Sequence, residues 1–171
     1  MKWMFLVTAD LQSRTHARIL QIFDNQRIQI HSFVVSTGAE WVTVHALVEI
    51  DPDKVNRSTV CALLLRLESV YRVECFAAFD GLCRTVALFE VCCDMATRLP
   101  VLQAASALDL PVVSINSCSA VIEAVGSLEE ITGFEHVFAQ HGVLTTVAKA
   151  TLGVVRNRDE PPHDEYRKGA D

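Results

Sequence analysis

Hydrophobic and polar residues change their spacing along the first half of the chain, from strand-like to helix-like and back. An apolar run from Trp3 to Thr8 predicts a strand. Apolar residues three and four positions apart then predict an amphipathic helix, with Ser13 as its N-cap and its end near Asp24 and Asn25. The same reasoning predicts strands over residues 28–35, 41–50 and 71–78, and a second helix over residues 56–70. The predicted order is β-α-β-β-α-β.

The second half repeats this order after a turn at Asp80 and Gly81. The pattern predicts a strand over residues 84–92, a helix around residues 99–108, strands over 112–115 and 120–125, and a last strand over 143–150. Between the last two strands, Ser127 followed by Glu130 matches a capping box and predicts a helix start.

Two copies of the split β-α-β unit predict an α+β protein made of two tandem ferredoxin-like domains. We expect the first domain over residues 1–79 and the second over residues 80–156. Residues 157–171 contain almost no apolar residues and two adjacent prolines, and they predict a disordered tail.

Composition and charge exclude several classes of protein. With 171 residues, 50% hydrophobic and 21% charged, the chain is neither disordered nor fibrous. A net charge of −6 with scattered Lys and Arg residues argues against a nucleic-acid partner. The N-terminal apolar run is too short for a signal peptide, and no segment approaches the roughly 20 apolar residues of a membrane span. We therefore expect a soluble, cytoplasmic protein that does not bind membranes.

Catalytic, cofactor and metal motifs are missing from the sequence, so we predict no catalytic residues, no cofactor and no metal site. The six cysteines lie mainly in apolar runs without a C-x-x-C pair, which favours buried thiols in a reducing compartment. A thiol enzyme using Cys92 or Cys93 is a lesser alternative. His31 and His45 on neighbouring strands could form a metal pair, although we expect solvated or hydrogen-bonded imidazoles.

The turn between the first strand and the first helix is a candidate binding site. A helix N-terminus exposes unpaired N–H groups that suit a carboxylate, and Arg14 adds a cation beside them. In the strand order 4-1-3-2, the strand over residues 28–35 lies at an edge and lacks the lysines and prolines that protect edges. Pairing with a second chain would place a pocket for a small amphoteric ligand between the subunits. The candidate residues are Asp10, Leu11, Gln12, Ser13, Arg14, Thr15, Gln29 and Ile30. The alternative is an ordinary solvated loop.

Several segments carry a resemblance to a known family. Arg18–Phe23 with Ile30–Phe33 is similar to the pattern R-V-x-x-L-F…N-I-E-S-L, and Tyr71–Val73 to V-x-R-V. Residues 111–115 and 121–127 are similar to I-V-D-V and T-I-E-x-T-G-S. On these segments the first half resembles an ACT domain, and the chain to about residue 156 resembles the regulatory small subunit of acetolactate synthase, also called acetohydroxyacid synthase.

The resemblance implies a non-catalytic protein. It implies a homodimer formed through ACT domains, which binds a branched-chain amino acid, usually valine, at the dimer interface. It also implies a thiamine-diphosphate catalytic subunit as partner, which the small subunit activates and subjects to feedback inhibition.

The candidate loop departs from the family pattern. Without a gap, the family's Asn or Asp falls on Leu11 and its turn glycine on Arg14, while one inserted residue would align Asp10 instead. Gln29 replaces the family's Asn. Glycine at the turn allows a positive φ and a close ligand, so these changes predict an altered site. Two functions stay open: a regulatory subunit with a changed effector site, or an ACT-type interaction module that has lost valine binding and acts as a structural partner.

Overall fold

The chain folds into two compact units, seen in a computed structural model that describes residues 1–11, 14–79, 82–154 and 165–167. One unit contains Met1–Cys83 together with Thr151–Asp171, and the other contains Arg84–Ala150. The observed division therefore falls slightly later than the predicted boundary after residue 79. In addition, the described residues 151–154 and 165–167 belong to the first unit.

The first unit has the predicted order of elements. They are β1 (Lys2–Asp10), α1 (Thr15–Asn25), β2 (Gln29–Thr37), β3 (Trp41–Glu49), α2 (Arg57–Leu65) and β4 (Val70–Ala77). The sheet order is β2-β3-β1-β4-β9, in which β9 (Glu165–Arg167) extends the predicted four-strand arrangement. The predicted position of β2 at an edge is thus confirmed.

Alternation along the strands gives the first sheet one face that packs against α1 and α2. Phe5 and Val7 of β1 and Ala46 of β3 point to this side, where they join Ile19 and Phe23 of α1 in one buried cluster. The rings of Phe5 and Phe23 meet edge to face with centroids 5.5 Å apart. The opposite face is also covered in part, because Met4, Leu6 and Leu47 are all buried there.

The second unit repeats the same topology. Its elements are β5 (Leu82–Cys92), α3 (Arg98–Ala107), β6 (Val112–Ile115), β7 (Ser119–Gly126), α4 (Leu128–Ala139) and β8 (Val143–Val154), with sheet order β6-β7-β5-β8. Phe89, Ile122, Ile131 and Phe138 are fully buried in its core. The predicted capping box is present, because Ser127 Oγ accepts from the Glu130 N–H and the Glu130 carboxylate accepts from the Ser127 N–H. The predicted class, α+β with two tandem ferredoxin-like domains, is confirmed.

Three local predictions differ from the structure. Arg14, and not Ser13, is the N-cap of α1, and Ser13 itself lies outside the described residues. Strand β8 continues beyond the predicted end at residue 150 to Val154. Strand β9 lies inside the segment predicted as a disordered tail and pairs with β4, which gives backbone partners to an edge that would otherwise be open. The other residues of that segment, 157–164 and 168–171, lie outside the described ones.

Candidate effector-binding site

Arg14 stands at the start of α1 in a backbone conformation that favours glycine. Its φ is 82° and its ψ is 0°, in the left-handed region. The Arg14 carbonyl accepts the first helical hydrogen bond, from the Arg18 N–H at 3.1 Å. No described side chain caps this end, and the first turn of α1 has no acidic residue. Partial positive charge from the helix and the Arg14 guanidinium therefore lie at the same end.

The remaining described residues of the loop hold its two ends in place. Asp10 closes β1 opposite Trp41, and its N–H donates to the Ser69 carbonyl at 2.8 Å. Leu11 is exposed. Thr15 is only 3% exposed, and its hydroxyl donates to Ser69 Oγ at 3.0 Å, so this side chain faces the interior. Gln12 and Ser13 lie outside the described residues.

The two remaining candidates, Gln29 and Ile30, lie at the other end of the sheet. Gln29 pairs with Glu49 at the end of β3, whereas Asp10 pairs with Trp41 at its start. At about 3.3 Å per residue, the two ends of β3 are about 26 Å apart. The structure of one chain therefore does not bring the two groups of candidate residues together.

A cavity of about 630 Å³ opens beside Gln29, between the end of α1 and the loop after β3. Its charged lining residues are Arg27, Glu49, Asp51 and Lys54. Asp51 and Lys54 form an ion pair at 2.9 Å, which lowers the pKa of Asp51 and raises that of Lys54. Groups of both signs around a concave surface suit a small zwitterion. Of the residues that line this cavity, only Gln29 was among the predicted site residues. The polar runs at residues 25–27 and 51–54, which flank β2 and β3, are the sequence signal for the others.

The two histidines considered for metal binding are hydrogen-bonded. His31 Nε2 lies 2.9 Å from Glu49 Oε2, and this bond holds the pKa of Glu49 below its usual value. His45 Nδ1 accepts from the Gly153 N–H at 3.3 Å, and burial lowers the pKa of His45. In the described part of the chain, no group of three or more His, Cys, Asp and Glu residues could hold a metal ion.

Thiol chemistry gains no support from the cysteines. Cys61, Cys75, Cys83 and Cys93 are buried, while Cys92 and Cys118 are exposed, so burial is incomplete. Cys92 and Cys93 have opposite exposure, as expected for neighbours at the end of a strand. Burial raises the pKa of the Cys83 thiol, which makes it a poorer nucleophile.

No helix within the described ranges is long and apolar enough to cross a membrane.

The fold defines a structural class. Two tandem ferredoxin-like units, the first with an open β2 edge, form an ACT-type α+β fold. A sequence model of the family described as the small subunit of acetolactate synthase matches residues 84–156. Residues 84–156 thus match the acetolactate synthase small-subunit family, and the resemblance drawn from the sequence is confirmed for this half of the chain.

A solved structure supports the fold across both units. The small subunit of acetolactate synthase from Thermotoga maritima is similar to this chain with a TM-score of 0.73 and 13% identity, over 92% of this chain and 99% of that one. At such low identity the likeness establishes the fold alone. The ligand-free regulatory subunit of aspartate kinase from Thermus thermophilus has a TM-score of 0.42 and 11% identity, over 82% and 91% of the two chains, and this likeness is too low to carry an argument. No curated protein sequence matches the chain.

Proposed function

We propose that the chain is a non-catalytic regulatory subunit that modulates a thiamine-diphosphate catalytic subunit of acetolactate synthase, in branched-chain amino-acid biosynthesis. It dimerises through the β2 edges of its ACT domains and binds an amino-acid effector between the two subunits. The family match of residues 84–156 and the fold support the regulatory role.

The open edge of β2 is the observation that carries the dimer. On the opposite side of the sheet, the edge of β4 is paired with β9, whereas no described strand covers the outer edge of β2. Strand β2 contains no lysine or proline that would block pairing. A second β2 in antiparallel orientation would extend the sheet across a two-fold axis.

The same pairing supports an effector site. In an antiparallel pair with its two-fold axis at Phe33, Gln29 of one chain would lie beside Thr37 of the other, at the end of the sheet where β1 stops and α1 begins. The cationic start of α1 would hold the effector carboxylate, and the Gln29 amide would approach from the second chain. The two groups of candidate residues, about 26 Å apart within one chain, would lie three strand spacings, about 14 Å, apart across the dimer, a gap that a small effector and the Gln29 side chain can bridge.

The conformation of Arg14 supports the view that this site is altered. Its φ of 82° is the geometry for which the family's glycine is suited, but the arginine places a Cβ and a long cationic side chain there. This feature also favours the second candidate function, an ACT-type module that has lost valine binding and acts as a structural partner.

Sedimentation tests the dimer. We expect the chain to sediment at twice its 18.9 kDa mass and Val35→Lys on β2 to sediment as a monomer, because this exposed position lies on the pairing strand. Val113→Lys is the matched control, since it adds the same charge to an exposed position on β6, the edge strand of the other sheet. If Val35→Lys still sediments as a dimer, and Val113→Lys sediments as a monomer, pairing through β2 is contradicted.

Thermal shift measurements with valine, leucine and isoleucine at millimolar concentration distinguish the two functions. A bound ligand raises stability by RT ln(1 + [L]/Kd), about 2.7 kcal/mol at 100 times Kd. A shift supports the effector site. If no amino acid shifts the melting temperature while the chain still activates a catalytic subunit, the structural-partner function is correct.

A further inference from the structure

The last residues of β8 cover the face of the first sheet that does not contact α1 and α2. Thr151 is 1% exposed although it lies near the end of the strand. Met4 and Leu6, which point to this face from β1, are buried as well. We call Thr151–Gly153 the latch segment; it belongs to the first unit, whereas residues 143–150 of the same strand belong to the second.

The first anchor of the latch segment is on β2. The Thr151 N–H donates to Ser32 Oγ at 2.9 Å, and this bond is buried. Ser32 itself is 8% exposed, although β2 is an edge strand. A buried N–H without a partner is costly, so the Ser32 hydroxyl specifies where the latch segment lies.

The second anchor is on β3. The Gly153 N–H donates to His45 Nδ1 at 3.3 Å, which requires an unprotonated Nδ1. Gly153 approaches the sheet so closely that a Cβ there would lie 2.6 Å from Met4 Cγ and 3.1 Å from Phe76 Cζ. Only glycine fits at this point without moving its neighbours.

No titratable side chain stands directly opposite His45 among the described residues. It faces Leu6 on β1 and Val34 on β2. The charged or titratable residues on the same sheet face lie further away, at strand ends or on β4, and are Lys2, Asp10, His31, Glu49, Arg72 and Glu74. Arg72 and Glu74 pair with each other at 2.8 Å. The latch contact to His45 is therefore a local hydrogen bond, and none of the ion pairs found among the described residues includes His45.

We propose that Thr151–Gly153 is a latch that couples the β2 edge to strand β8. When the hydrogen bond between the Thr151 N–H and Ser32 is lost, residues 143–150 of β8 lose protection together with the latch segment. The coupling follows from chain continuity: one strand has its end fixed on β2 and β3 and its beginning in the second sheet. Ser32 and His45 act as positioning residues. The inference does not depend on an effector or on a catalytic partner.

Amide hydrogen exchange of the full chain, compared between Ser32→Ala and Ser36→Ala, tests the latch. Both serines lie on the same face of β2, but Ser36 is exposed and forms no described contact with the latch segment. For Ser32→Ala we expect protection at the Thr151 amide to fall about tenfold, the effect of one lost buried hydrogen bond. Protection across residues 143–150 should fall with it, while Ser36→Ala leaves both unchanged. A fall confined to the Thr151 amide would overturn the coupling.

A second variant keeps the proposal testable if Ser32→Ala does not fold. Gly153→Ala leaves both hydrogen-bonding partners intact but adds the Cβ that collides with Met4. We expect the same joint loss of protection at the latch segment and at residues 143–150. Gly133→Ala is its control, because a Cβ at that position has no neighbour within 4 Å, and it should not lower protection at residues 143–150. Unchanged protection at residues 143–150 in Gly153→Ala would also overturn the latch.

Discussion

Replacing Arg14 by glycine should stabilise the first unit. A non-glycine residue in the left-handed region destabilises the folded state by about 1–2 kcal/mol, and Arg14 lies in this region with φ 82°. Glycine has more freedom in the unfolded chain, which lowers the free energy of unfolding by about 0.5–1 kcal/mol. Arg14→Gly should therefore raise the free energy of unfolding by up to about 1.5 kcal/mol. Urea unfolding followed by tryptophan fluorescence measures this directly, because both tryptophans, Trp3 and Trp41, lie in the first unit.

Two control variants separate backbone strain from charge. Arg14→Ala removes the guanidinium but keeps the Cβ, so it should give no comparable gain. Arg18→Gly places the same substitution inside α1, where glycine should cost about 1 kcal/mol. If Arg14→Ala stabilises as much as Arg14→Gly, charge and not φ is responsible, and the reasoning is refuted. Arg14→Gly should also increase any thermal shift that valine produces, because the backbone becomes open to a close ligand.

Three further predictions concern other positions. Gly142→Ala should destabilise the second unit by about 2 kcal/mol or more, because its Cβ would lie 2.3 Å from the Cys92 carbonyl oxygen of β5. Gly133→Ala in α4 should instead stabilise this unit by up to about 1 kcal/mol. Thermal unfolding followed by circular dichroism compares the two variants. Ser127→Ala should cost about 1 kcal/mol in the same assay, since it removes the capping box. Burial lowers the pKa of His45, so the unfolded chain binds a proton at this imidazole more readily than the folded chain does. The free energy of unfolding of the first unit should therefore fall as the pH drops below about 6.5, and it should fall less in His45→Gln. An equal fall in the two proteins would show that His45 does not cause the pH dependence.

Local patterns were sufficient to predict the order of the elements. The capping box at Ser127 and Glu130 identified the start of α4, and the pattern of apolar and polar positions identified β2 and β3 as strands. These features depend on residues close in sequence, and their spacing of two or of three to four is visible without a structure.

Long-range contacts explain what the sequence did not reveal. Thr151–Val154 is a short segment whose position depends on Ser32 and His45, more than a hundred residues away. Thr15 resembled a loop residue, but its hydroxyl contacts Ser69 in the interior. The N-cap was assigned to Ser13 because serine is favoured there, whereas the chain turns at Arg14 in a conformation that arginine rarely adopts.

The formation of acetolactate by a purified thiamine-diphosphate catalytic subunit, taken from the same genome and titrated with this chain, tests the regulatory role most directly. Our account predicts that the rate rises with added chain and saturates at a fixed ratio of the two subunits. A rate that stays unchanged in the presence of excess folded dimer would contradict it.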